Sequence, residues 1–153
     1  MLSTGISRDP FWWSILAGAV VYVVVLVRRV HRQARYHGAV RGLTMVSGRW
    51  RTARAPGGVI RRHVAGLGDP TGPHVYIMRD ADGAVRYVGV AGTGGSSLAD
   101  RLHQHGQDYR SADWHTCEAF ACRTERQAWA LELRLFDVLQ PDQNIARPPG
   151  VHR

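Results

Sequence analysis

Five side chains in the C-terminal half have types and spacings suited to chemistry. Glu132 stands in a helical stretch whose neighbours at i−4, i−3, i+3 and i+4 are Ala128, Trp129, Leu135 and Phe136, all apolar. A carboxylate on such a face is costly unless a cation or hydrogen bonds compensate it. Two compensations are open: an Arg partner or a metal ion. Arg101 and His105 form an i, i+4 row beside Leu98 and Leu102. A fixed cation and a titratable base are thus held at the edge of one apolar stripe, where a cleft would lie. Tyr76 and Tyr87 fall on two β-type runs and share one two-strand surface. His115 adds a polar side chain near that cleft, whereas Trp114 and Trp129 read as core rather than as stacking platforms.

Local patterns supply the elements that position these groups. His74–Met78 and Val85–Gly89 are β-branched and aromatic runs around Asp80-Ala-Asp82-Gly83, the pattern of a hairpin with an Asp-Gly turn. A Gly-rich loop, Ala91–Ser97, follows. It lacks the Gly-Lys-Ser/Thr ending of a P-loop and the GxGxxG spacing, so it reads as a strand-to-helix connection. Ser97-x-x-Asp100 is a capping box for a helix over 98–105, with Gly106 as its stop. Cys117–Cys122 is a third strand. Thr124-x-x-Gln127 opens the longest helix of the region, about 125–139, and Pro141 closes it. The expected class is α+β: a three-stranded antiparallel sheet flanked by helices, preceded by one transmembrane helix.

That last element comes from the N-terminal third. Phe11–Val27 runs seventeen residues without a charge. A helix of that length spans roughly 25 Å, and the stems of Arg28 and Arg29 extend it toward the ~30 Å of a bilayer core. Trp12 and Trp13 stand where an aromatic belt would lie, and the Arg pair suits a retained anchor better than a cleaved signal. Arg28, Arg29, Arg32, Arg35 and Arg41 follow the span, against Arg8 and Asp9 before it. The positive-inside rule therefore places the N-terminus outside and the C-terminal domain in the cytoplasm.

The chain of 153 residues has a formal charge of +8, and all twenty of its basic residues are Arg. Residues 28–68 hold ten Arg and no acid, whereas 69–153 hold nine Arg against eleven acids. The basicity belongs to the arm, 28–63, which would contact anionic lipid or nucleic acid. Composition excludes a collagen, a disulfide scaffold and a polar disordered chain, and two Cys are too few for a cysteine-rich zinc module. The organisation expected is a short tail (1–10), a transmembrane helix (11–30) and an Arg/Gly-rich linker (31–72). Residues 31–40 extend the helix and 41–72 are mostly irregular. A folded domain (73–148) and a tail (149–153) complete the chain.

In order and spacing, residues 74–146 resemble the GIY-YIG nuclease family. His74-Val75-Tyr76 stands at the first tripeptide and Tyr87-Val88-Gly89 at the second, with His74 in place of the first Gly and Val88 in place of an Ile. Arg101-x-x-x-His105, Glu132 and Pro141-x-x-Asn144 match the motifs that follow. The resemblance implies metal-dependent hydrolysis of nucleic-acid phosphodiesters, DNA before RNA. It implies one divalent ion on Glu132, Mg²⁺ with Mn²⁺ as the alternative. It also implies Tyr76 as general base, helped by Arg101 and His105, which would lower its pKa or take its proton onward. Arg101 would hold the scissile phosphate, and Tyr87 would orient water or phosphate. Gly89 and His115 would lie by the substrate. Asn144 would orient the first strands, with phosphate contact its lesser role. Dimerisation is left open. The competing reading is an inactive nucleic-acid-binding or protein-adaptor module tethered to the membrane.

Overall fold

The computed structural model describes residues 10–54, 60–67 and 71–145. Most of the expected N-terminal tail, the C-terminal tail and the Ala55-Pro-Gly-Gly58 stretch lie outside the described residues. The chain divides into two compact units, residues 1–35 and 36–153.

In the first unit the backbone is helical from Pro10, and this helix, α1 (Pro10–Val40), continues into the second. Its apolar side chains are exposed from Phe11 through Val30. The segment Phe11–Val40 is long and apolar enough to cross a membrane, and no part of it is covered by protein in its most apolar window. The continuation expected over 31–40 is present.

The second unit is α+β. Its sheet is antiparallel and has five strands where the sequence suggested three: β1 (Met45–Arg54), β2 (Ile60–Ala65), β3 (His74–Arg79), β4 (Val85–Ala91) and β5 (Thr116–Ala121), in the order β2-β1-β5-β3-β4. The additional strands come from the segment expected to be irregular. For β1 the signal is a period of two: Val46 and Trp50 point to the core, whereas Ser47, Arg49 and Arg51 are exposed. One apolar face suffices for a strand when the other meets water. The density of Arg hides that alternation.

Around the sheet lie α2 (Leu98–Gly106), a 3₁₀ turn (Tyr109–Asp113) and α3 (Glu125–Leu139). β3 is buried along His74–Met78 because both faces of the sheet are covered. Its alternate residues enter two different cores. Tyr76 and Met78 join Leu98, Leu102, Trp50 and Trp114. Val75 and Ile77 join Phe120, Ala128, Leu131 and Leu135, closed by Tyr36, Val40 and Leu43. Glu118 on β5 receives the Tyr36 hydroxyl at 3.0 Å and the Arg79 guanidinium at 3.1 Å, so its charge is compensated where it enters the second core.

Candidate functional site

β3 and β4 pair in register, with Tyr76 opposite Gly89 and Met78 opposite Tyr87. That register brings the two phenol rings together, 5.9 Å between centroids and 28° apart in plane. Gly89 is what lets the rings lie there. A Cβ on it would meet Tyr76 Oη at 2.6 Å, Tyr76 Cζ at 2.7 Å and Tyr87 Cε1 at 2.7 Å.

The helix α2 delivers the other half of the site. Ser97 accepts from the Asp100 N–H while the Asp100 carboxylate accepts from Ser97 N, the reciprocal box that starts the helix. Leu98 and Leu102 anchor it, and the neighbouring row carries Arg101 and His105. Tyr76 Oη and His105 Nε2 are 2.7 Å apart. The imidazole also packs against Tyr87, edge-on at 4.8 Å. Arg101 faces both phenol oxygens. Its Nη1 donates to Gln104 at 3.0 Å, but its Nε is buried without a hydrogen-bond partner. A buried donor left unpaired costs about 1–3 kcal/mol, and such an atom calls for an acceptor brought in by a ligand.

Burial dominates the electrostatics. It raises the Tyr76 pKa well above 10.0; Tyr87 adds to the rise and Arg101 opposes it without prevailing. Arg101 thus pulls this pKa down as expected, and burial outweighs it. Burial, followed by the Arg101 charge, lowers His105 from 6.5 to about 4 against the pull of Asp108. At neutral pH both members of the Tyr76–His105 pair are uncharged. The proton-relay role is the one their contact permits.

Glu132, on α3, is partly buried, and burial raises its pKa from 4.5 to about 7; the Arg101 charge and a hydrogen bond to the Val90 backbone pull the other way. Arg101 acts on it through its charge alone and forms no ion pair with it. Of the two compensations open in the sequence, the Arg partner is thus incomplete, and a carboxylate so poorly neutralised suits a divalent cation. Among the described residues no group of three or more His, Cys, Asp and Glu side chains comes together that could hold a metal. A cation at Glu132 would complete its shell with water and phosphate oxygens, as Mg²⁺ commonly does.

The remaining residues fall into place around this cluster. Asn144 Oδ1 accepts from Val88 N at 3.0 Å and its Nδ2 donates to Val88 O at 2.8 Å, so its amide orients β4. Arg86 holds the same segment through Asp142 at 2.6 Å and Asp113 at 2.7 Å. His115 is exposed, and its hydrogen bonds are backbone ones, to Arg79 O and from Trp50 N. His74 is buried and donates from Nδ1 to Gly72 O at 2.8 Å. The Cys117 thiol, pushed up to about 12 chiefly by burial, is a core group and not a nucleophile.

Two aromatics join the site without a motif to announce them. Trp114 lies 5.3 Å from His105 and 5.6 Å from Tyr87, and Trp50 of β1 packs behind it at 5.3 Å. Both are core residues, and together they form the wall against which His105 rests. Trp129 is the opposite case: the sequence suggests core, but it is exposed. The buried positions of α3 are Ala128, Leu131, Leu135 and Val138, which leaves Trp129 at the margin of the stripe. Compared with protein-family models, curated proteins and solved structures, the chain finds no match in any of the three.

Proposed function

We propose that this chain is a membrane-anchored endonuclease of the GIY-YIG type. It hydrolyses phosphodiester bonds of nucleic acid, foremost DNA, and uses one divalent cation, Mg²⁺ or Mn²⁺, at Glu132. The observation that carries the reading is convergence. Tyr76, Tyr87, Arg101, His105 and Glu132 come from four elements, and the partly buried Arg101 charge reaches all the others through space.

A phosphate placed on Arg101 would satisfy its unpaired Nε and meet the strongest positive potential of the site. It would also offset the guanidinium charge that depresses His105, so substrate binding itself makes the imidazole a better base. Tyr76 is fully buried in the free protein, so substrate must first open its hydroxyl to the attacking water. The phenol then takes a proton from that water as its own proton passes to His105 Nε2, 2.7 Å away. A relay of this kind avoids forming tyrosinate, which burial disfavours. Tyr87, stacked on Tyr76, turns its hydroxyl to the same phosphate or water. A divalent ion bound at Glu132 would supply charge stabilisation to the phosphate and the leaving oxygen. The apolar helix Phe11–Val40 supports a bilayer anchor, and the Arg residues that follow the span favour a cytoplasmic catalytic domain.

The test uses the full chain in detergent micelles and its Glu132→Gln variant, each given supercoiled plasmid with Mg²⁺ or with chelator. Nicking that requires both Mg²⁺ and Glu132 is expected. Tight plasmid binding without nicking in any arm would replace the enzyme with an inactive binding module.

A further inference from the structure

Glu125, Trp129 and Glu132 lie at i, i+4 and i+7 on α3 and so form one stripe of the helix. Both ends of that stripe are anchored at the junction of β4 and α2. Glu125 Oε1 accepts from Gly94 N in the Gly-rich loop at 3.3 Å. Glu132 hydrogen-bonds to the Val90 backbone and feels the charge of Arg101. Trp129 stands between them.

Its surroundings differ from those of the two other Trp residues in this unit. Trp50 and Trp114 are 5% and 6% exposed, and each donates its indole N–H, to Ser111 O and Gln143 Oε1. Trp129 is 36% exposed, and among the described residues its indole N–H has no hydrogen-bond partner and its ring no aromatic or cationic partner. Helix packing does not account for it, because Ala128, Leu131, Leu135 and Val138 already fill the core side of α3. A large flat ring kept partly open on the same helix stripe as the Glu132 carboxylate is a contact surface for something planar.

The flanking charges say which part of a nucleic acid it fits. Glu125 on one side repels phosphate, whereas Arg101, whose charge reaches Glu132 on the other, attracts it. Cβ atoms three residues apart on a helix are roughly 5–6 Å apart, the scale on which a base adjoins its own phosphate. We propose that Trp129 is a stacking platform for an unpaired nucleobase next to a phosphate held at Arg101, an inference that rests on the nuclease reading above. Such a platform takes any base, since every base offers a π-face, and it favours a strand locally opened at the cut.

The experiment uses the full chain in detergent micelles with chelator present, so that nothing is cleaved. Oligothymidylate is compared with an abasic oligonucleotide of the same length and charge, and Trp fluorescence reads binding. The wild type is expected to prefer the oligothymidylate by about tenfold, the usual scale of one stacked base. The preference should vanish in Trp129→Ala with abasic affinity unchanged, and persist in part in Trp129→Phe. The quenched signal should be the component that Trp129→Phe removes. Trp129→Phe keeps most of the ring's packing, and thermal melts of the variants check that each retains the fold. If Trp129→Ala keeps the preference, the platform is wrong while the nuclease reading stands. If neither oligonucleotide binds and plasmid is not nicked, both fall.

Discussion

Tyr76 Oη and His105 Nε2 are 2.7 Å apart, although one belongs to the middle of β3 and the other to the last turn of α2. Burial holds both uncharged at neutral pH, the phenol by raising its pKa and the imidazole by lowering it. Neither is a strong base alone. In contact they can accept and pass a proton as one unit, with Trp114 closing the far side of the ring.

A unit of this kind predicts non-additive losses. Tyr76→Phe and His105→Asn should each lower the single-turnover nicking rate by roughly 10²–10⁴-fold, the usual worth of general-base catalysis. The double variant should be no slower than the slower single one. Multiplying losses would mean that the two residues act independently, and thermal melts of all three would show that the fold is retained.

Gly89→Ala tests the support beneath the pair. The added methyl would lie 2.6 Å from Tyr76 Oη, and the phenol must move, because the strand cannot. Overpacking of this kind costs about 1–3 kcal/mol. The expected result is a modest fall in Tm, with a loss of nicking as severe as that of Tyr76→Phe. Full activity in a stable Gly89→Ala protein would show that the hydroxyl position does not matter.

What the sequence made legible was whatever local chemistry decides. The Asp80–Gly83 turn, the Ser97–Asp100 box and the Thr124 cap each act within four residues, and the elements they bound begin and end close to the expected positions. The Tyr76, Arg101, His105 and Glu132 positions follow from those elements, so their convergence was within reach. Long-range pairing was not. β5 lies between β1 and β3, and nothing local tells Cys117 that its neighbours are Gly48 and Met78. Trp50 reaches the site only through that pairing, so its place behind Trp114 has no sequence signal. Trp129 misleads for a simpler reason: one residue past Ala128 on a helix is a turn of about 100°, enough to leave the core stripe.

The five-stranded sheet sets a boundary for soluble fragments. A 64–153 fragment keeps every motif but removes β1, most of β2 and Trp50, and it exposes the β5 edge. Losing a buried Trp alone typically costs 3–5 kcal/mol of the roughly 5–15 that hold a domain together. A 36–153 fragment keeps the strands and Tyr36, which bonds Glu118 at 3.0 Å. Circular-dichroism melts should show a cooperative transition for 36–153 and none for 64–153. A cooperative 64–153 fragment would make β1 and β2 dispensable additions.

The last prediction concerns stability against pH, measured with chelator present. Glu132 has its folded pKa raised from 4.5 to about 7, so its contribution is complete below 4.5 and is lost as pH rises toward 7. His105 has its folded pKa lowered from 6.5 to about 4, so its contribution is complete above 6.5 and is lost as pH falls toward 4. The two windows overlap with slopes of opposite sign, and the wild-type Tm should be nearly flat between about pH 4.5 and 6.5. Each variant should unmask the other residue. Glu132→Gln leaves the His105 slope, and its Tm should fall as the solution is acidified from 6.5. His105→Asn leaves the Glu132 slope, and its Tm should fall as pH is raised from 4.5. Slopes of the same sign in both variants would mean that burial does not hold at least one of the two groups in its uncharged form in the metal-free protein.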